Sequence, residues 1–189
     1  MRKIELFTTD GVKVGEFTSM RAIAEIADAL PENLDVSPLK EHRKQELSQA
    51  TDSYIQRKLQ EIDEDLSDLT SEAQVIEGRI LYLAAKENVS ITTDEVKQKI
   101  ALFIAGSYTE QDAVNDLKEK GLSDETVQKI LPLLQRGVEI AKILNWKEEI
   151  WAKEAELESQ INNIALEQLL QLDVKALCET AYAEIPLEV

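Results

Sequence analysis

His42 is the only histidine of the chain and Cys178 its only cysteine, so these two residues bound the chemistry it can carry. His42 stands beside Glu41 and one helical turn before Glu46, a spacing at which a carboxylate can orient an imidazole for proton transfer. The same spacing also describes a solvated side chain in the first turns of a long helix, and that is the expectation. Cys178 lies between Leu177 and Glu179, with no cationic neighbour to stabilise a thiolate, which predicts a buried, unreactive thiol. One cysteine and one histidine exclude an intramolecular disulfide, a zinc site built from several such ligands and the paired Glu-x-x-His motifs of a di-iron bundle.

Asp63, Glu64, Asp65 and Asp68 offer oxygen ligands for a hard cation, but a helix splays consecutive side chains around its axis and no loop glycine is near. A solvated acidic face is the expectation. The six glycines are scattered and none precedes Lys-Ser or Lys-Thr, so no phosphate-binding loop is present. Trp146 and Trp151 stand out in a chain with only 5% aromatic residues. With Tyr82, Phe103 and Tyr108 they suggest either a binding patch or the place where short helices dock on longer ones. The sequence assigns no catalytic residue, no metal ligand and no cofactor, and we expect a protein that is not an enzyme.

The elements that must hold these residues are mainly helical. The runs Ile4 to Thr8 and Val12 to Phe17 are β-prone and separated by Thr9-Asp10-Gly11, which predicts a hairpin with a tight turn. That hairpin should rest on a helix from Met20 to Leu30 with Ile23, Ile26 and Leu30 on its apolar face, ended by Pro31. Ser37-Pro38 reads as a helix start, with Ser37 as N-cap. From there no strong stop occurs before Asn88, and Ile55, Leu59, Ile62, Leu66, Leu69, Ala73, Ile76, Ile80 and Leu83 form a heptad seam. One continuous helix here would be roughly 75 Å long at 1.5 Å per residue. Gly78 falls opposite the seam, and Ser67 to Ser71 marks a possible bend.

Thr92 with Glu95 and Thr109 with Asp112 each match a capping box, predicting helices near Thr93 to Ala105 and Glu110 to Lys120, the second ended by Gly121. Ser123 caps a third helix that meets Pro132, which stops or kinks it. A second long run follows from Leu133 to about Gln171, with Val138, Ala141, Leu144, Ile150, Leu157, Ile161 and Ile164 as its stripe. A short helix from Val174 to Ala183 ends before Pro186. The expected fold is therefore mainly α: a long antiparallel helical hairpin, coiled-coil-like, with a small helical knob and an N-terminal β-hairpin plus short helix. Its segments are 1–36, 37–91, 92–132, 133–172 and 173–189. A parallel homodimer along the seam has no charge preference, since Lys58 meets Asp63 but Glu72 meets Glu77; an oligomer of hairpins stays open.

The chain carries 37 acidic against 21 basic residues, a net charge of -16, which disfavours nucleic acid phosphate and anionic lipid and favours protein partners. No apolar run is long enough to span a membrane.

Lys44-Gln45-Glu46-Leu47-Ser48-Gln49-Ala50-Thr51-Asp52-Ser53-Tyr54-Ile55 resembles a segment of small tail-associated proteins of tailed bacteriophages, in which Glu-Leu is followed by Ala, Asp and Ile at these intervals. The glycine and aromatic turn that usually follows in those proteins is lacking here. The resemblance implies a virion or tail-assembly setting, without an activity or a site. Two expectations follow: a structural or assembly protein, in the virion or the bacterial cytoplasm, whose partners are virion proteins or further copies of itself; or an acidic regulatory or chaperone-like binder of a basic partner.

Overall fold

Alternation of Ile4 and Leu6 with Lys3 and Glu5 turns both apolar side chains to one face of the pleat, and in the computed structural model, which describes residues 3–188, both are buried. Strand β1 (Ile4–Phe7) pairs antiparallel with β2 (Lys13–Phe17), Ile4 opposite Phe17 and Leu6 opposite Gly15, with a register shift after Leu6. Gly11 takes φ +87° in the connecting turn, the left-handed region that glycine enters without steric cost. Residues 33–35 lie along the turn end of the hairpin, where the Thr9 amide donates to the Asn33 carbonyl and the Asp35 amide to that of Phe7. The hairpin rests on helix α1 (Met20–Ala24), capped by the Ser19 hydroxyl and burying Met20 and Ile23.

Helix α1 is shorter than the predicted Met20 to Leu30. Ile26 leaves helical geometry and is exposed, a 3-10 turn covers Ala27–Ala29, and Leu30 is extended ahead of Pro31, as the clash with a following proline ring requires. Helix α2 (Ser37–Glu61) starts at Ser37, not after it. The side-chain cap comes from Asp35, whose carboxylate accepts the Ser37 amide at 3.0 Å.

The predicted continuous helix of 37–91 is two helices, α2 and α3 (Leu66–Lys86). Asp63 adopts φ +58°, and the amides of Asp63 and Glu64 return to the carbonyls of Gln60 and Leu59. This is the double hydrogen bond that closes a helix C-terminus, with aspartate in the place glycine usually takes. Asp65 then caps α3 by accepting from the Ser67 amide. The seam spacing runs through this turn without being helical there, so Ile62 is exposed while Ile55, Leu59, Leu69, Ile76 and Ile80 are buried and Leu66, Ala73 and Leu83 half-buried. The break precedes the Ser67 to Ser71 stretch, which lies inside α3. Asn88, at φ +61°, ends α3 by the same device.

Both capping boxes form: Thr92 with Glu95 opens α4 (Thr93–Ile104), and Thr109 with Asp112 opens α5 (Glu110–Glu119). Helix α6 (Asp124–Asn163) contains 40 residues and passes through Pro132, so the second long helix begins well before the predicted Leu133. Pro132 is exposed while Ile130, Leu131 and Leu134 are buried. Packing on either side therefore holds the helix, and the cost falls on the Gln128 carbonyl, which loses the amide that residue 132 would otherwise donate. Helix α6 also ends before the predicted Gln171: after Asn163 come α7 (Leu166–Gln171) and α8 (Val174–Tyr182), the latter capped by Asp173. Burial on α6 follows Val127, Ile130, Leu134, Ile140, Ile143, Trp146, Ile150, Leu157 and Ile161, a row that only partly coincides with the predicted stripe.

Among the described residues the fold is thus mainly helical, with one two-stranded sheet. The chain groups into two compact units, one of residues up to Arg57 with Glu148–Pro186, the other of Lys58–Lys147 with the residues from Leu187. Within the first, α1 lies against α7 and Cys178, Tyr182 and Leu47 are core residues. Within the second, the core is formed by Leu69, Ile76, Ile80, Val96, Ile130, Ile140 and Ile143.

Candidate functional site

His42, Cys178, Asp63 and Asp65, singled out for chemistry, are engaged with neighbouring groups of the fold. His42 Nε2 lies 3.5 Å from Glu46 Oε1, but the other oxygen of Glu46 is held by Arg43 Nη1 at 2.6 Å. Cys178 is buried, and desolvation pushes its thiol above the ordinary value; it faces the hydroxyls of Tyr182 and Thr51. Of the acidic run, Asp63 forms the turn and Asp65 the α3 cap, with Ser67 Oγ also donating to Asp65 at 2.6 Å. Among the described residues no group of three or more His, Cys, Asp or Glu side chains is placed to hold a metal ion. No helix among them is long and apolar enough to cross a membrane. Trp146 is buried in the second unit and Trp151, in the first, is 40% exposed. Phe103 and Tyr108 pack edge to face at 5.0 Å, and Tyr82 is exposed.

The polar groups that matter most went unread in the sequence because their partners are distant along the chain. Lys40 Nζ donates to the Asn162 carbonyl at 2.6 Å and Arg43 donates to the carbonyls of Leu169 and Leu170, both at 3.1 Å. One face of α2 thereby supplies cations to the C-terminal ends of α6 and α7, where unpaired carbonyls and the helix dipole attract positive charge. In the second unit Arg136 joins Glu64, Glu72 and Glu139. Lys99 pairs with Asp116, which also accepts from the Tyr108 hydroxyl at 2.7 Å, and the Lys99 ammonium lies 4.3 Å from the Tyr108 ring centre. Burial and Asp116 together raise the Tyr108 phenol far above its ordinary value, and the triad braces α4 against α5.

Glu87 closes the end of α3 onto the start of α6, accepting from the Ser123 amide at 2.7 Å and from the hydroxyls of Ser123 and Thr126. These bonds hold its carboxyl below the ordinary value. The stability it contributes is therefore present above pH 4.5, the ordinary value, and is lost as pH falls through the lowered one. We expect Glu87→Gln to lower the melting temperature at neutral pH, with the gap to wild type closing in acid. A gap that persists below pH 3 would show that the carboxylate charge is not what is lost.

The second unit also holds an apolar groove of about 340 Å³ between α3, α4 and α6. It exists because Ala73, Ala101, Gly137 and Ala141 line it where larger side chains would fill the space. A Cβ at Gly137 would meet Ile100 Cδ1 at 2.9 Å and Ile76 Cγ2 at 3.8 Å, so glycine there sets how closely the three helices approach. Glu77 and Lys97 face each other across the rim at 3.8 Å. The groove can seat apolar groups and presents no acid-base pair apart from that rim. The large apolar side chains left most exposed are Val12, Val75 and Tyr82, followed by Trp151, Ile26 and Ile62.

No family model, curated protein or solved structure matches this chain.

One carboxyl is held against its own charge. Glu154 of α6 has its value raised, chiefly by desolvation and then by Glu158 and Asp52, against a hydrogen bond from Ser48. Here the sign reverses: the folded protein binds this proton more tightly than the unfolded chain, and stability falls as pH rises from 4.5 through the raised value. Glu154→Gln is expected to raise the melting temperature by roughly 2 °C at pH 7 and to leave it unchanged in acid. A destabilised variant at pH 7 would mean that the Ser48 bond outweighs desolvation and repulsion.

Proposed function

We propose that the protein is a structural or assembly component that works by holding other proteins rather than by turning over a substrate. In its most concrete form it is a bacteriophage virion or tail protein whose helices, in a coiled-coil-like hairpin, act as a spacer or adaptor. The observation that carries this reading is the division of labour among side chains. His42, Cys178, Lys99, Tyr108 and Asp116 are tied into the fold, while Val75 and Tyr82 face outward from helix α3. Exposed Tyr and Trp are the side chains that anchor protein contacts most often. The similarity of residues 44–55 to phage tail-associated proteins supplies the setting.

The net charge of -16 favours a second reading, an acidic regulatory or chaperone-like binder of a basic partner. The two are separated by a tagged capture from the native source at low and high salt, with bound proteins identified by mass spectrometry. Virion or tail proteins retained at high salt are the expected result. A single basic protein released by salt would favour the second reading, and capture of neither would remove the support for both.

A further inference from the structure

We propose that the outward face of α3 is a self-association surface, on which a second copy of the chain packs its own α3 in antiparallel orientation. Opposite the buried seam, Ser71, Val75, Gly78, Tyr82 and Ala85 follow one another at spacings of four and three, a second heptad row on the same helix. Ser71, Gly78 and Ala85 are exposed, as are Val75 at 56% and Tyr82 at 60%. Packing within its own chain does not require glycine at Gly78: a Cβ there would meet nothing within 4 Å, although a helix interior disfavours glycine. The Ser71 hydroxyl is turned back onto the Ser67 carbonyl at 3.0 Å, leaving a small apolar edge outward.

The row alternates small and large residues, which decides the orientation. In a parallel pair Tyr82 would face Tyr82 and Gly78 would face Gly78, crowding one layer and emptying the next. In an antiparallel pair Tyr82 of each copy fills the space over Gly78 of the other, and Val75 faces Ala85, so every layer is evenly filled. Charge agrees along the flank. Glu72 lies beside the row near its start and Lys86 near its end, so antiparallel packing brings each Lys86 toward Glu72 of the other copy. Lys86 lies 4.8 Å over its own Tyr82 ring centre, and the Glu72 carboxylate, held by Arg136 at 3.0 and 2.8 Å within its own chain, stays half-buried beside the row. The one unfavourable meeting is Arg79 with its own copy, where two long exposed side chains can turn to water. This surface rests on the same reading of Val75 and Tyr82 as contact side chains, but needs no virion setting.

The test is sedimentation equilibrium of the full chain over a range of concentrations. A monomer–dimer equilibrium is expected, weakened about tenfold by Tyr82→Ser and also by Gly78→Gln. Gly78→Gln substitutes a better helix former at an open site, so an unchanged circular dichroism spectrum separates loss of the dimer from loss of the fold. With a short bis-maleimide, Arg79→Cys is expected to cross-link two copies, since that flank meets itself only in an antiparallel pair, whereas a parallel pair would cross-link through Tyr82→Cys and not through Arg79→Cys. A monomer at every concentration, a dimer indifferent to both substitutions, or cross-linking through Tyr82→Cys alone would overturn the proposal.

Discussion

Arg43→Ala is expected to cost about 3 kcal/mol, because it leaves buried acceptors without their donor. Arg43 is 8% exposed, and its guanidinium serves two backbone carbonyls of α7 and the Glu46 carboxylate together. No other described side chain donates to those two carbonyls. The expected fall in melting temperature is roughly 6–12 °C. Arg43→Lys keeps the charge but cannot reproduce the fork of parallel donors, so an intermediate loss is expected. A thermal melt of Arg43→Ala within about 2 °C of wild type would mean that water replaces the guanidinium without penalty.

Tyr182→Ala is expected to have the larger effect, about 4 kcal/mol, by opening a cavity under the C-terminal helix. Tyr182 is fully buried, packs edge to face on Tyr54 with ring centres 5.1 Å apart, and shares a 2.6 Å hydrogen bond with Thr51. Tyr182→Phe keeps the ring and removes only the hydroxyl, which meets Thr51 and Cys178. Thr51 still donates to the Leu47 carbonyl at 3.0 Å, so a loss of about 1 kcal/mol is expected. Hydrogen exchange gives the local reading. In Tyr182→Ala the amides of α8 should lose protection before those of α3, whereas uniform loss would show that α8 unfolds only with the whole chain.

Capping chemistry is the part of this fold most legible in the chain itself. Thr92 with Glu95, Thr109 with Asp112 and Gly121 act within a few residues of where they stand, and each forms the predicted boundary. Where one residue type substitutes for another in a local device, the reading fails. Asp63 ends α2 in the left-handed conformation that glycine would announce, and a heptad row continued through the turn conceals the break. Pro132 fails in the opposite direction, since its disruption of the helix is outweighed by buried neighbours on both sides. Among the aromatics, sequence could not assign Trp146 to a core and Trp151 to a surface, because burial depends on which elements oppose them.

By itself, then, the sequence determined the helical class, the N-terminal hairpin and the capped starts of α4 and α5, because propensity, turn chemistry and capping act over one or two turns of chain. Tertiary structure alone decided which cations close α6 and α7, which carboxylate joins α3 to α6, and where a groove remains around Gly137. Those contacts join residues tens of positions apart, and their energies come from desolvated charge and close packing, which exist only once the helices have met.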